Sequence, residues 1–394
     1  MGVAFAKRME FMKASEIREI LKITENPEII SFAGGLPAPE LFPVKEMKHV
    51  TELVLEENGR QALQYSTTEG FVPLRRQIAE RMNRKNETSV TYEDIRIISG
   101  SQQGLDFTGK LFIDEGDVVL CESPTYLAAI SAFRAYRPVF KEVPTDDDGM
   151  VMADLKKILA TTNRVKFIYV IPDFQNPSGR TWSLARRRQL IELMNEYEIP
   201  VIEDNPYGEL RFEGEMLPSL KSMDQKGLVI YISTFSKIFC PGLRIGWIAA
   251  DSRFLDKYVL IKQGADLHTS ILSQRQIAKF IEIYDLDAFV ANIINVYRRR
   301  RDVMVETMQA EFPGTVKFTY SQGGLFTWAV LPERIKAVEL LLNCLRNYNV
   351  AFVPGDSFFP NGGVTNTLRL NYSNMPEEKI VEGIKRLARA INEY

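Results

Sequence analysis

Short apolar runs alternate with segments of helical periodicity through the middle of the chain. Continuous apolar runs of this length, separated by helices, are typical of a mostly parallel sheet that is covered by helices on both faces. The pattern therefore predicts an α/β domain. The runs that we assign to strands are IRIIS from residue 95, VVLCES from 118, KFIYVIP from 166, IPVIEDN from 199 and LVIYIST from 228.

The two ends of the chain have a different pattern. Near the N-terminus we predict a helix at residues 14–23, a short strand, a loop rich in glycine and proline, and helices near 44–58 and 70–84. Residues 252–311 are mainly helical, and a hairpin around Gly323-Gly324 precedes further helices and strands. This mixture predicts a smaller α+β domain. The expected division is an N-terminal segment, 1–40, that joins the small domain, a large domain, 41–285, and the small domain, 286–394.

Length and composition exclude several classes of protein. A chain of 394 residues exceeds the size at which a single core stops growing, which agrees with two domains. A net charge of −2 gives no electrostatic footprint for nucleic acid, and no apolar run approaches the ~20 residues of a membrane span. Three widely spaced cysteines and two histidines offer neither a disulfide framework nor a metal cluster. We expect a cytoplasmic protein, since no signal peptide precedes the first helix.

One lysine lies in a loop between two apolar strands, within YISTFSKIFCPGLRIGWIA. Lys237 has apolar neighbours, which favour loss of its proton, and a neutral amine can form a Schiff base with an aldehyde. The hydroxyls of Thr234 and Ser236 and the guanidinium of Arg244 could hold a phosphate. An aldehyde together with a phosphate is what pyridoxal 5′-phosphate (PLP) presents. The alternative is an ordinary solvated loop lysine.

Three polar residues near the ends of other predicted strands suit the ring of such a cofactor. Asp204 ends an apolar strand, where a carboxylate is costly without a positive partner such as a protonated ring nitrogen. Tyr207 and Asn176 could direct a phenol and an amide toward the ring hydroxyl. The alternatives are a helix cap or turn for Asp204 and a plain Asn-Pro turn for Asn176.

Further candidates follow the same logic. Ser101 and Gln102 open a helix after Gly100, where free amides and the helix dipole attract phosphate, although a serine N-cap is the common alternative. Tyr126 could stack on a flat ring or be a core aromatic residue. Arg369 lies among apolar strand residues and could bind a carboxylate through two hydrogen bonds, or it could lie on an exposed sheet face. Ligands of parallel sheets bind beyond the carboxyl ends of the strands, so these residues predict one site.

With these residues in view, the sequence resembles the class I and II aminotransferases of PLP fold type I over nearly its whole length. It is most similar to the 2-aminoadipate (LysN-like) and kynurenine aminotransferase branch. The segments that carry the resemblance are SFAGGLPAPELFP, LQYSTTEG, SGSQQGLD, FQNPSG, VIEDNPYGEL, TFSKIFCPGLRIGW, KQGADLHTS, VPGDSFFPNGG and NTLRLNYS. Thr234 stands where serine is common in the family, and a hydroxyl is retained.

The resemblance implies a homodimer with two sites at the subunit interface. Tyr65 then matches the tyrosine that reaches the phosphate in the neighbouring subunit, and the loop 263–269 approaches the partner's site. Gly35 lies in a loop over the substrate, and Arg18 lies on a helix that closes over the site and could pair with a second carboxylate. The implied reaction moves an amino group from 2-aminoadipate, glutamate, or an aromatic or branched-chain amino acid to a 2-oxo acid such as 2-oxoglutarate.

Two other functions share the fold. One is a PLP-dependent C–S lyase. The other is a non-enzymatic PLP-sensing domain of the kind fused to winged-helix regulators, which the lack of a basic surplus and of room before Phe32 disfavours.

Overall fold

The computed structural model describes residues 3–12, 26 and 28–394. The predicted helix at 14–23, with Arg18, lies outside this range. Among the described helices, none is both long and apolar enough to cross a membrane. In chain order the described α-helices are α1 (Val44–Ala62), α2 (Val72–Asn86), α3 (Ser101–Phe112), α4 (Leu127–Arg134), α5 (Met152–Thr161), α6 (Leu184–Tyr197), α7 (Ser252–Ala265), α8 (Ile271–Ile283), α9 (Leu286–Glu311), α10 (Ala337–Asn343) and α11 (Glu377–Asn392).

Eight strands form the large sheet in the order β2-β9-β8-β7-β6-β3-β4-β5. Five of them (β8, β7, β6, β3, β4) run parallel to one another, while β9 is antiparallel to both β2 and β8, and β5 is antiparallel to β4. The predicted mostly parallel sheet is confirmed. Its strands are β2 (Ile95–Ile98), β3 (Val118–Ser123), β4 (Val139–Asp146), β5 (Gly149–Met150), β6 (Val165–Val170), β7 (Val201–Asp204), β8 (Val229–Thr234) and β9 (Gly246–Ala249).

The sequence pattern did not predict β4, β5 or α5. Strand β4 lies next to the edge of the sheet, and only Phe140 and Val143 among its eight residues are buried, one in each core. Its other positions are exposed or half-buried and include charged residues, so it contains no continuous apolar run.

Both faces of the central sheet are buried, so its side chains divide into two cores. Tyr169 and Ile202 belong to the core on one face, which α3, α4 and α7 cover. Ile168 and Val201 belong to the core on the other face, beneath α5 and α6. Since successive strand residues point to opposite faces, shifting a strand by one residue would exchange these two sets.

The smaller sheet is antiparallel, in the order β10 (Lys317–Phe318), β11 (Phe326–Val330), β14 (Thr367–Asn371), β13 (Val353–Pro354). Pairing of β10 with β11 confirms the predicted hairpin. Strand β1 (Ile30–Ser31) pairs in parallel with β12 (Val350–Ala351), and the backbone N–H of Asn371 donates to the carbonyl of Phe32. These bonds support the division into 1–40, 41–285 and 286–394, which we propose for the chain.

Candidate active site

Neighbouring strands deliver the candidate residues to one edge of the large sheet. Strand β7 ends at Asp204, and β8 beside it ends at Thr234, three residues before Lys237. Strand β6, on the other side of β7, leads into the loop with Asn176. Strand β2 is linked through β9, where Ile98 and Thr234 both pair with Gly246. The edge therefore gathers the ends of strands that are far apart in the sequence.

Lys237 is half-buried, and its amine donates a 2.7 Å hydrogen bond to the carbonyl of Gly35. Burial, followed by the positive charges of Arg369 and Arg244, lowers the pKa of Lys237 to about 8. A pKa this close to neutrality makes a useful fraction of the unprotonated, nucleophilic amine available. The side chain is held within the site, so the alternative of a solvated loop lysine is wrong.

Asp204 is 2% exposed, and its two carboxylate oxygens differ. Oδ2 accepts a 2.7 Å hydrogen bond from the hydroxyl of Tyr169, whereas Oδ1 is buried and has no partner among the described residues. Burial raises the pKa of Asp204 to about 7, and the Tyr169 hydrogen bond opposes that rise. The alternatives of a surface turn or a cap are therefore wrong. An unpartnered buried carboxylate oxygen fits the protonated ring nitrogen of PLP.

Arg369 is 2% exposed on β14. Its Nη1 donates to Oδ1 of Asn176 at 2.8 Å and its Nη2 to the carbonyl of Ala33 at 2.8 Å, while Nε has no partner among the described atoms. The guanidinium also lies 4.2 Å from the ring centre of Phe326. Burial lowers the pKa of Arg369 to about 10, which leaves it charged at neutral pH. The exposed-face alternative is wrong, and a buried cation without an ion-pair partner in the described chain suits a carboxylate ligand.

The amide and phenol proposed for the ring hydroxyl lie together. Nδ2 of Asn176 lies 3.3 Å from the hydroxyl of Tyr207, and both side chains are buried. Burial raises the pKa of Tyr207 above its ordinary value, so its hydroxyl keeps its proton and can donate. Tyr126 is half-buried, and burial, with the nearby Asp204 charge, raises its pKa to about 12. These three side chains suit an edge and a face of a planar ring, with Asn176 and Tyr207 at the ring hydroxyl and Tyr126 on the ring face.

A turn and a helix N-terminus make the candidate phosphate site. Gly100, at φ 75°, is the N-cap of α3, so Ser101 is the first helical residue and the alternative of a serine N-cap is wrong. The backbone N–H groups of Ser101 and Gln102 have no acceptor within the helix. A Cβ on Gly246 would lie 3.0 Å from the amide nitrogen of Ser101, so the close approach of β9 to this turn requires glycine.

Hydroxyls and a guanidinium complete this part of the site. Oγ1 of Thr234 donates to the carbonyl of Ile245 at 2.9 Å and lies 2.8 Å from Oγ of Ser236. Arg244 is exposed and makes only 3.4 Å contacts, with the carbonyls of Pro241 and Ser99. Within the described chain Arg244 forms no ion pair, which leaves its charge for an anion.

Tyr65 is 79% exposed, and its ring packs edge-on against His268 at 5.8 Å between centres.

Sequence reasoning missed two residues that contact the site, Tyr169 and Phe326. Both lie in apolar strands, where an aromatic residue is ordinarily core. The only signal for Tyr169 was a hydroxyl within the run KFIYVIP.

Comparison with known proteins agrees with this geometry. The family model described as aminotransferase class I and II matches residues 34–387. Aromatic-amino-acid aminotransferase 1 of Thermococcus litoralis is 47% identical over 99% of this chain and 94% of its own length. The 2-aminoadipate transaminase of Thermus thermophilus is 43% identical over 98% of this chain and 96% of its own.

A solved structure of Pyrococcus horikoshii kynurenine aminotransferase, in complex with PMP, matches with a TM-score of 0.94 at 42% identity, covering 99% of this chain and 97% of that one. The described site residues, from Gly35 to Arg369, all lie within the range that the family model matches. The chain therefore belongs to the class I and II aminotransferases, PLP-dependent enzymes of fold type I that transfer amino groups between amino acids and 2-oxo acids.

Proposed function

We propose that this aminotransferase takes its amino group from 2-aminoadipate, glutamate, or an aromatic or branched-chain L-amino acid and passes it to a 2-oxo acid such as 2-oxoglutarate. The names of the relatives support this range, since they act on aromatic amino acids and on 2-aminoadipate. The observation that carries the proposal is the amine of Lys237 at the same edge of the large sheet as Asp204, whose buried Oδ1 has no partner among the described residues. The charge of the buried Arg369 acts on the same amine.

The roles follow from the groups available. When bound, PLP supplies an aldehyde for a lysine amine and a ring that accepts electrons. Lys237 would hold the cofactor, and its amine would move the proton between Cα of the substrate and C4′ of the cofactor, as general base and acid. Asp204 keeps the ring nitrogen protonated. Asn176 and Tyr207 bind the ring hydroxyl.

The remaining candidates bind and orient. The guanidinium of Arg369 binds the α-carboxylate of the substrate, which orients the Cα–H bond for cleavage. Gly35 lines the substrate side of the pocket, and Arg18 pairs with a second carboxylate where the substrate has one. Cofactor binding beyond the ring contacts falls to the stacking ring of Tyr126 and to the phosphate ligands Ser101, Gln102, Thr234, Ser236, Arg244 and Tyr65.

We further propose a homodimer, in which Tyr65 serves the phosphate of the neighbouring subunit. The exposed ring of Tyr65 and its contact with His268 of the loop 263–269 support this assignment, since a side chain so open to solvent has room for a partner. We also propose a cytoplasmic location, for which the three free cysteines, two of them buried, are the support.

A panel of amino donors with 2-oxoglutarate tests the proposed function. Each accepted donor should yield its 2-oxo acid and glutamate in equal amounts, and Lys237→Ala should yield neither. Pyruvate and ammonia formed from a sulfur amino acid without an oxo-acid acceptor would indicate a C–S lyase instead. Specific retention of DNA by a chain that is inactive with every donor would indicate a PLP-sensing regulator.

A further inference from the structure

Tyr169 is buried beneath the cofactor site, and the strand register directs it toward Asp204. In the parallel pair β6–β7, Tyr169 lies opposite Ile202, two residues before Asp204. Because side chains alternate along a strand, Tyr169, Ile202 and Asp204 point to the same face of the sheet. Asp204 is the next residue after Ile202 on that face, and the phenol is long enough to reach it. The hydroxyl of Tyr169 lies 2.7 Å from Oδ2 of Asp204.

The position of that hydroxyl is well determined by its surroundings. Tyr169 is 1% exposed, and the ring of Phe133, on α4, packs edge-on against it at 5.7 Å between centres. Both side chains belong to the core on that face of the sheet. A phenol that is fixed by ring contacts presents its proton in one direction, so little conformational entropy is lost when it donates to a carboxylate.

This hydrogen bond makes the two oxygens of Asp204 unequal. Oδ2 is committed to Tyr169, and Oδ1 is left as the buried oxygen without a partner in the described chain. Burial and, among other charges, that of Asp204 raise the pKa values of Tyr126 and Tyr207, whose phenols do not bond to the carboxylate in the described structure. No described cation forms an ion pair with Asp204, so the Tyr169 hydroxyl is the group that stabilises the charged form.

We propose that Tyr169 is a positioning residue for the reaction: its hydroxyl holds Oδ2 of Asp204, leaves Oδ1 as the acceptor for the ring nitrogen of PLP, and keeps Asp204 charged so that the proton stays on that nitrogen. Without the hydroxyl, Oδ2 is left without a donor, and the buried carboxylate competes with the ring nitrogen for the proton. The ring nitrogen then loses part of its positive charge, and proton removal from substrate Cα becomes harder. Tyr169 touches neither substrate nor reacting atoms in this proposal, and it acts through Asp204.

The variant Tyr169→Phe tests this proposal because it removes one oxygen and keeps the ring that packs on Phe133. Tyr231→Phe is a matched control. Tyr231 is also buried in the large sheet, on β8 at the other side of β7, and its hydroxyl accepts a 2.7 Å hydrogen bond from Asn86 instead of contacting Asp204. Both variants lose one buried hydrogen bond, so a general loss of stability should affect them alike.

In the holoenzyme we expect Tyr169→Phe to lower kcat roughly tenfold with little change in KM for the amino donor, and to raise the Kd of PLP severalfold, on the scale of one hydrogen bond to a charged group. With PLP labelled with 15N in the ring, the nitrogen chemical shift should move toward that of the unprotonated ring. Tyr231→Phe should leave kcat, the Kd and the shift as in the wild type.

A double-mutant cycle separates a role through Asp204 from a purely structural role. In an Asp204→Asn background, the added Tyr169→Phe change should have little further effect on the Kd of PLP or on the nitrogen shift. An unchanged shift and kcat in Tyr169→Phe would overturn the proposal. So would equal, additive losses of PLP affinity in the presence and absence of the Asp204 carboxylate.

Discussion

Arg369 and Asn176 are joined by a 2.8 Å hydrogen bond from Nη1 to Oδ1, across 193 residues of sequence. Arg369 lies on β14 of the small sheet, and Asn176 lies in the loop after β6 of the large sheet. The bond connects the residue proposed for the substrate carboxylate with one proposed for the cofactor ring. Since Nδ2 of the same amide faces Tyr207, one asparagine contacts both the residue proposed to bind the substrate and a residue proposed to bind the cofactor.

The lysine that carries the cofactor can be identified directly. After loading with PLP and reduction with borohydride, peptide mapping should place the pyridoxyl group on Lys237. The loading rate should rise as pH increases through about 8, because the neutral amine is the nucleophile. Lys262 is a control: it is also buried, but its amine bonds to Asp266 and Gln103 at 2.9 Å, so it should remain unlabelled. Label that persists in Lys237→Ala would contradict the assignment.

For turnover, the negative charge at position 204 should matter more than the exact length of the side chain. Asp204→Ala is expected to lose a factor of about 10² or more in kcat, the scale of a lost electrostatic contact in an active site. Asp204→Glu should retain much more activity, since it keeps an anion at the end of β7. Steady-state kinetics at saturating PLP measures both variants. Near-normal turnover of the alanine variant would rule out this role.

Removal of the same charge should stabilise the protein when no cofactor is bound. The pKa of Asp204 is raised to about 7 from an ordinary 3.8, so the folded state holds a proton that the unfolded chain releases. The contribution of Asp204 to the stability of the wild type should therefore fall as pH rises from about 4 to about 7. At about 1.4 kcal/mol per pKa unit, the cost approaches about 4 kcal/mol at pH 8.

Urea denaturation of the PLP-free proteins measures this cost. Asp204→Asn should exceed the wild type in unfolding free energy at pH 8 by a few kcal/mol, and the difference should shrink toward pH 4.5. A difference that is independent of pH would show that burial of the charge is not its cause.

Hybrid dimers test the cross-subunit role of Tyr65. Lys237→Ala cannot bind PLP covalently, and Tyr65→Phe is expected to bind it weakly. A hybrid of the two has one wholly unaltered site if Tyr65 serves the neighbouring subunit, and none if it serves its own. Purified hybrids carrying two different tags should regain PLP affinity in half of their sites. Hybrids that remain as weak as Tyr65→Phe alone would count against the assignment.

Side-chain selection by Arg18 remains a prediction from the sequence, since the residue lies outside the described range. Arg18→Ala should raise KM for acidic donors and for 2-oxoglutarate roughly tenfold, the scale of a lost charge-assisted contact. Single-turnover reaction with leucine or an aromatic donor should change little. Arg60→Ala, at an exposed arginine of α1, serves as the control. Equal losses for both classes of donor would exclude a selective role.

Local sequence pattern is enough to predict the middle of the fold and the types of residue at its strand ends. Apolar runs buried on both faces are long enough to identify singly, and lysine, aspartate and arginine among them are conspicuous because a buried charge is costly. Strand β4 was missed because only two of its eight residues are buried, so it contains no continuous apolar run. The helix that begins at Ser101 was predicted, but the identity of its N-cap was decided by the positive φ of Gly100.

Tertiary structure alone decided which of these residues touch. Lys237 contacts the carbonyl of Gly35, 202 residues away in the sequence. Tyr169 contacts Asp204, 35 residues away on the adjacent strand. Contacts of this kind depend on strand register and on how the small sheet seats against the large one, and neither leaves a local periodicity in the sequence. Tyr169 shows the limit most clearly: its pattern is that of a core residue, and only the register of β6 on β7 turns its hydroxyl toward the carboxylate.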